Sequence, residues 1–357
     1  MHIVGFAALL LALLGGLGLA GYTIVRLIGG QKADPVHLER GQSGIFLLFL
    51  LGSAVLLWAL MTRNFSFVYV ADYSDRILPL FYAATAFWAG QSGSILFWGL
   101  VLSFFGFLWS RSPRYRSLET GTKNLFWVFF LTVECFFLLL LTGPANPFLT
   151  YPVAPPDGSG LNPLLQHPGM IFHPPVLFMG YAGFTIPACL AFASVFAKEE
   201  RSWLRTGRNW SILSWIFLSI GILLGGWWSY LELGWGGYWA WDPVENASLV
   251  PWLVSSAFLH TAVIGRRKGA LSRTNIFLIG LTLALCFFGT YIVRSGVIQS
   301  LHAFGARGLG VPLLALVAGT LLLSGWAAFA SQSRDSKELG HSWSRQGFMT
   351  VIVLTLS

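Results

Sequence analysis

The chain has 357 residues, of which only 10% are charged and 55% are hydrophobic, and its formal net charge is +8. About 25% of the residues of a typical soluble domain are charged, so this composition excludes a fold whose surface lies mainly in water. A chain embedded in lipid must satisfy its backbone polar groups internally, which leaves a helical bundle or a closed barrel. Long apolar runs without strand-like alternation favour the helical bundle.

Nine apolar runs long enough to cross a bilayer follow one another along the chain. They are predicted at 3–25, 43–61, 95–110, 124–142, 175–197, 209–226, 249–265, 275–291 and 311–330. A tenth run begins near residue 347, and its 11 residues would rise only about 17 Å as a helix, too little for ~30 Å of hydrocarbon. The sequence therefore predicts one all-α polytopic transmembrane bundle over 1–357. It also indicates that the chain is a fragment or is completed by a second polypeptide.

The positive charges predict the orientation of these spans. When Lys and Arg are assigned to alternate loops, 18 of the 22 fall on one side, and only Arg63, Arg76, Arg294 and Arg307 fall on the other. The positive-inside rule makes the basic side cytoplasmic and places the amino terminus outside. The net charge therefore reflects topology, and no nucleic-acid partner is predicted. Arg26 follows the first apolar run, an order that indicates a retained helix and not a cleaved signal peptide.

The third of the longer outward segments, predicted at 227–248, is rich in tryptophan. It holds five of the 16 tryptophans of the chain within 15 residues, namely Trp227, Trp228, Trp235, Trp239 and Trp241. One interpretation is an aromatic belt at the headgroup level. The other is a platform for a large, flat, apolar ligand. Asp242, Pro243 and Glu245 fit the N-cap, N1 and N3 positions of the next helix, which would give the two acidic residues a structural role.

Histidines form the second component of a candidate site. His167 and His173 lie in the second outward segment, and His302 lies in the fourth. Pro174 and Pro175 follow His173, which predicts an extended backbone at His173 and a helix that starts just after it.

His260 is the polar residue that stands out within a predicted span. It lies six residues before Arg266, about 9 Å of helix rise, and so inside the hydrocarbon. An ionisable residue at such a depth is by default a functional candidate. His260 is interpreted either as an axial haem ligand or as a hydrogen-bonded histidine in a helix interface.

The aromatic segment and these histidines together predict a haem site and not a hydrolytic zinc site, which would need a compact triad of ligands. Haem carries two propionates, and Arg294 and Arg307 flank His302 at distances of eight and five residues. One or both arginines are predicted to pair with propionate. The alternative is that they only anchor the topology of their loop.

At this point the residues resemble a known family. The run at 235–242, W-G-G-Y-W-A-W-D, resembles the W-G-x-x-W-x-W-D signature of the WWD haem-handling proteins of cytochrome c maturation. That signature is common to CcmF, NrfE, CcmC and CcsA proteins. The segments at 162–168 leading to His173-Pro174-Pro175, and at 293–297 leading to His302, are similar to the CcmF and NrfE family of haem lyase subunits.

The resemblance implies a set of haem-binding residues. It implies a periplasmic WWD segment at 227–248 that binds haem b, with His173 and His302 as the two outward ligands of the haem iron. It also implies that His260 ligates a second, intramembrane haem whose other ligand lies beyond the end of this chain. A carboxy-terminal part of the family is therefore expected to be missing from this chain or supplied as a separate half.

The resemblance further implies an enzyme of the bacterial inner membrane whose active face is periplasmic. Such a haem lyase, a holocytochrome c synthase, receives haem from the chaperone CcmE and joins the haem vinyl groups to the C-x-x-C-H thiols of apocytochrome c. Its expected partners are CcmH, a CcmI-like subunit and quinol. No side chain is assigned as a nucleophile, because the substrate supplies the thiols. The alternative is a haem carrier, like CcmC or CcsA, that transfers haem without forming a bond.

Overall fold

The computed structural model describes residues 1–199, 203–232, 237–268, 271–297 and 308–331. Within these ranges helices dominate, and the extended pairing is one isolated bridge between Phe67 and Thr150. The helices are α1 (His2–Ile28), α2 (Pro35–Met61), α3 (Val68–Tyr73), α4 (Leu80–Thr85), α5 (Gln91–Arg111), α6 (Pro113–Arg116), α7 (Thr120–Thr142), α8 (Gly169–Gly183), α9 (Thr185–Phe196), α10 (Trp203–Thr206), α11 (Arg208–Glu232), α12 (Pro243–Lys268), α13 (Ser272–Arg294) and α14 (Gly310–Ala330), with short 3-10 helices at Ala86–Trp88 and Pro163–Leu165.

Nine helical segments of the described ranges are long and apolar enough to cross a membrane, and α8 and α9 together form one of them. Each coincides with a predicted run, so the prediction of an all-α polytopic bundle is confirmed. The tenth run, near residue 347, lies outside the described residues. Several helices extend past the apolar runs: α11 continues to Glu232, so Trp227 and Trp228 lie on a helix and not in the loop that the sequence predicted.

Helices α8 and α11 run antiparallel, and their backbones approach closely because glycines face the partner helix. A Cβ atom on Gly180 would lie 2.7 Å from the backbone nitrogen of Leu218, and one on Gly221 would lie 2.9 Å from Cα of Leu177. Small residues at helix-helix contacts are typical of membrane proteins, where van der Waals packing holds helices together. This contact fixes the position of α8 against α11.

The start of α8 differs from the prediction. The helix begins at Gly169 and runs through both Pro174 and Pro175, so His173 is helical and not extended. The sequence rule that disfavours helix before proline is overridden here by the packing of α8 in the bundle.

Trp88 compensates for the first of these prolines. Pro174 has no N–H to donate to the carbonyl of Met170, four residues earlier. The indole Nε1 of Trp88 donates to that carbonyl oxygen at 2.9 Å. A backbone group in apolar surroundings needs such a partner, and neighbouring side chains supply it in membrane helices.

The α8–α11 contact makes a testable prediction. Gly180→Ala should lower the thermal stability of the detergent-solubilised chain, because its Cβ would press on the backbone of Leu218 and overpacking costs about 1–3 kcal/mol. Gly319→Ala is the matched control, since a Cβ on Gly319 in α14 meets nothing within 4 Å. Equal melting temperatures for the two variants would contradict the proposed tight packing.

Candidate functional site

A cavity opens between the ends of α5, α8, α11, α12 and α13 that the charge pattern predicts to face outward. The cavity volume is about 190 Å³, and the cavity is open to solvent at its mouth. Most of the wall is apolar or aromatic. The polar and aromatic lining includes Trp88, Trp98, His173, Trp228, Glu232, Trp239, Glu245 and Arg294.

His173 projects from the first turns of α8 into this cavity. Its Nδ1 lies 2.7 Å from the carbonyl oxygen of Gly221 in α11. A carbonyl only accepts, so Nδ1 carries the proton and donates, and in the neutral ring the lone pair is then on Nε2. The ring fits there because position 225 is glycine, where a Cβ would lie 2.6 Å from Cε1 of His173.

The tryptophan segment reaches the cavity from two sides. Trp228 comes from the last turns of α11, and its ring centroid lies 5.9 Å from that of His173. Trp239 comes from the chain just before α12 and also lines the cavity. The chain at Tyr238 is held to α11, because its ring stacks on Tyr230 at 4.4 Å and an interplanar angle of 12°.

A reciprocal cap fixes the chain where it enters α12. Asp242 Oδ1 accepts from the N–H of Val244 at 2.8 Å, while Glu245 Oε2 accepts from the N–H groups of Ala240 at 2.9 Å and Asp242 at 3.3 Å. These bonds give Asp242 and Glu245 the capping-box role that the sequence predicted. The cap sets the direction of the tryptophan segment just before it.

Four buried hydrogen-bond donors of the cavity wall have no partner in the described part of the chain. They are Nε1 of Trp98, Trp228 and Trp239 and Nη1 of Arg294. Trp98 is 1% exposed and Arg294 is 7% exposed. A buried donor without an acceptor costs about 1–3 kcal/mol, and more when it is charged. Four such donors around one cavity favour a ligand that brings its own acceptors.

Two tyrosines near Arg294 do not supply the missing negative charge. Burial raises the pKa of Tyr69 and Tyr73, and the opposing effect of Arg294 on each pKa is smaller. Both phenols therefore stay neutral. The Tyr69 hydroxyl accepts from the N–H of Gly90 at 3.0 Å and donates to the carbonyl of Ala86 at 2.9 Å.

A second histidine lies beside the cavity. Nδ1 of His167 accepts from the N–H of Gly169 at 3.0 Å, and Nε2 lies 3.6 Å from Oε1 of Glu232. The ring also contacts Trp227, with the centroids 5.6 Å apart. Glu232 is the last residue of α11 and lines the cavity.

The structure brings together part of the predicted set. His173, Trp228, Trp239 and Arg294 line one cavity, and Asp242 caps the helix beside it. Two indoles lie elsewhere: Trp227 is 40% exposed next to His167, and Trp241 is 70% exposed. His260 is exposed on α12 and does not line the cavity. Three predicted residues, Trp235, His302 and Arg307, lie outside the described residues.

Sequence reasoning missed several lining residues. Trp88 and Trp98 flank the start of α5 and meet His173 only in the folded bundle. Glu232 ends a helix that the hydropathy pattern terminates near residue 226. The available signals were weak: two tryptophans near a span boundary, and one further acidic residue, Glu232, in the tryptophan-rich segment.

Comparison with known proteins gives consistent matches over most of the chain. The family model described as Cytochrome C assembly protein matches residues 88–301. The CcmF protein of Haemophilus influenzae is 37% identical over 345 residues, which are 94% of this chain and 52% of that protein. The NrfE protein of the same organism is 37% identical over 342 residues, again 94% of this chain and 53% of that protein. A solved structure of the cytochrome c haem lyase CcmF has a TM-score of 0.78 and 30% identity, and the match covers 100% of this chain and 53% of that one.

The fold and the cavity define a multi-pass membrane protein with an aromatic cavity at one end of its helices. By its match over more than half of its length, the chain belongs to the cytochrome c assembly protein family. The resemblance to the CcmF and NrfE proteins inferred from the sequence is confirmed. The chain spans about half the length of the curated relatives it matches.

The cap at α12 makes a prediction. Glu245→Ala removes the acceptor of the N–H groups of Ala240 and Asp242, so their amide hydrogen exchange should accelerate, with a stability loss of about 1 kcal/mol. Glu119→Ala is the control, because Glu119 occupies the N-cap of α7 without a side-chain cap bond. If exchange at residues 240 and 242 is the same in Glu245→Ala as in the unmodified chain, the cap does not hold this segment.

Proposed function

We propose that this chain is the part of a cytochrome c haem lyase that holds haem for attachment to apocytochrome c. The observation that carries the proposal is the arrangement of His173, oriented by a backbone carbonyl, among four buried donors without partners in the described residues, in an aromatic cavity. The family membership and the printed names of the CcmF and NrfE relatives support it. The apolar, aromatic walls of the cavity and its buried donors without acceptors both suit haem.

His173 is proposed as an axial ligand of the haem iron. A ligating imidazole commonly donates its other ring N–H to a backbone carbonyl, which sets the tautomer and makes the ligating nitrogen more basic. The 2.7 Å contact from Nδ1 to Gly221 is such a bond. His302 is proposed as the second outward ligand and His260 as a ligand of an intramembrane haem, both by resemblance.

The buried donors are proposed to bind the haem propionates. Arg294 offers a guanidinium, which pairs with carboxylate more strongly than a neutral donor does. The indole N–H groups of Trp98 and Trp239 are further donors of the same wall. With propionate bound, a buried cation and buried indoles all gain the acceptors that the described chain does not provide. Arg307 and Trp235 are proposed to belong to the same site by resemblance.

The chemical contribution of the chain is positioning. Haem, when bound, supplies vinyl groups that can add a thiol, and the apocytochrome supplies the thiols of its C-x-x-C-H segment. The chain would hold the two reactants at near-attack distance, which replaces a bimolecular encounter. In this proposal CcmE delivers the haem, and CcmH and a CcmI-like subunit present the apoprotein on the periplasmic side of the bacterial inner membrane. Haem transfer without bond formation is the second candidate, because the same cavity would also serve a carrier.

The ligand role of His173 makes a prediction. His173→Ala should lose most of the haem that co-purifies with the wild-type chain, or shift its reduced absorption bands, because an axial nitrogen is removed. The control is His37→Ala, since the His37 side chain is 69% exposed on the opposite side of the bundle. Identical haem content and spectra in wild type and His173→Ala would remove His173 from the site.

The proposed pairing of Arg294 with the haem propionates leads to a second prediction. Arg294→Gln should weaken haem binding about 10- to 150-fold, since a hydrogen bond to a charged group contributes about 1.5–3 kcal/mol. Binding of haem dimethyl ester, which has no carboxylates, should change little. Arg76→Gln, an exposed cation of the same face, is the control for general charge effects. Equal weakening for haem and its ester would show that Arg294 acts on the fold and not on propionate.

A further inference from the structure

The pair formed by His167 and Glu232 has no role in the haem site as described so far. Glu232 lines the cavity at the outward end of α11. It lies one turn beyond Trp228, about 6 Å along the helix and on the same face. His167 precedes α8, the helix that carries His173, so the pair connects the two helices that form the site.

The contacts of His167 determine what it can do. Nδ1 accepts a backbone N–H, so the proton of the neutral ring is on Nε2, the atom that faces Glu232. Nδ1 thus accepts a hydrogen bond, and Nε2 lies 3.6 Å from the Glu232 carboxylate, within the distance of an ion pair. This is the reverse of His173, whose ring donates through Nδ1. His167 is therefore built to hold Glu232 and not to ligate iron.

Glu232 differs from the other ionisable groups of the cavity wall. Oε2 of Glu245 accepts from two backbone N–H groups of the α12 cap, and the Tyr181 hydroxyl contacts the carbonyl of Ala247 at 3.5 Å. Arg294 and His173 already have roles in the proposed haem site, as propionate partner and iron ligand. Glu232 alone among these lining groups combines a carboxylate, partial exposure of 28% and a single side-chain partner.

The unequal burial of the lining groups favours one orientation of haem. Arg294 and Trp98 are buried, whereas Glu232 is partly exposed. The propionates and the vinyl groups occupy opposite edges of the porphyrin. Propionates paired with the buried donors would therefore leave the vinyl edge toward the opening, where a peptide thiol can approach and where Glu232 lies.

We propose that Glu232 is the proton-transfer residue of thioether formation, and that His167 is the positioning residue that holds it. This inference rests on the proposed lyase function. The Glu232 carboxylate accepts the proton of the cysteine thiol as the sulfur bonds to the inner carbon of the vinyl group. The carboxyl group then donates that proton to the terminal vinyl carbon, which becomes a methyl group. One S–H bond and one π bond break, one C–S and one C–H bond form, and no oxidant or reductant is consumed.

The test compares variants in membranes that retain the native partners of the chain, supplied with haem and a C-x-x-C-H peptide. Covalent attachment is followed by the shift of the pyridine haemochrome spectrum as vinyl groups are saturated. Glu232→Gln should reduce the initial rate about 100-fold or more, the range of general acid-base catalysis. It should also change the pH profile of the rate, while the amount of bound haem stays the same. Glu232→Asp should restore part of the rate.

The controls separate the possible outcomes. Asp72→Asn removes an exposed outward carboxylate that does not line the cavity, and it should leave rate and pH profile unchanged. His167→Gln keeps an acceptor for Gly169 and a donor for Glu232 and should stay close to wild type, whereas His167→Leu should slow the reaction without loss of bound haem. A wild-type rate and pH profile in Glu232→Gln would overturn the inference and leave the lyase function standing. Thioether formation absent from wild type, with haem bound, would overturn both and favour the carrier.

Discussion

The close contact between α8 and α11 is the constraint on which the site depends. Glycines at positions 180 and 221 allow the two backbones to meet, and this brings the His173 ring onto Gly225 and its Nδ1 to the carbonyl of Gly221. A carbonyl has two lone pairs, so Gly221 can accept from His173 and still take part in its helix. The tautomer of the proposed iron ligand therefore follows from helix packing.

Polar groups in the cavity wall fall into two kinds with different consequences. Those of the α12 cap are satisfied within the chain, so they hold the tryptophan segment without a ligand. Those of Trp98, Trp228, Trp239 and Arg294 lack partners in the described residues and are costly until an acceptor binds. A cavity of this composition is suited to the proposed ligand, which carries carboxylates on an otherwise apolar body.

The sequence was sufficient for the membrane-spanning helices and for the start of α12. Nine spans follow from hydropathy, because each must be apolar over its whole length, and the cap follows from Asp242 and Glu245 at the right spacing. The course of α8 could not be predicted, since the local bias of Pro174 is overridden by packing and by a distant indole. The sequence also could not predict that Arg294 is buried or which tryptophans line the cavity. Hydrophobic periodicity does not show which neighbouring residues cover a side chain.

The hydrogen bond from Trp88 to Met170 joins residues 82 positions apart. The segment before α5 thus supplies the donor to the Met170 carbonyl that α8 itself lacks because residue 174 is proline. A shift of that segment alone would leave the Met170 carbonyl without this donor, so its movement is coupled to the turn of α8 that carries His173. A macromolecule that binds this surface would therefore also act on the position of the His173 imidazole, through the hydrogen bond to Met170.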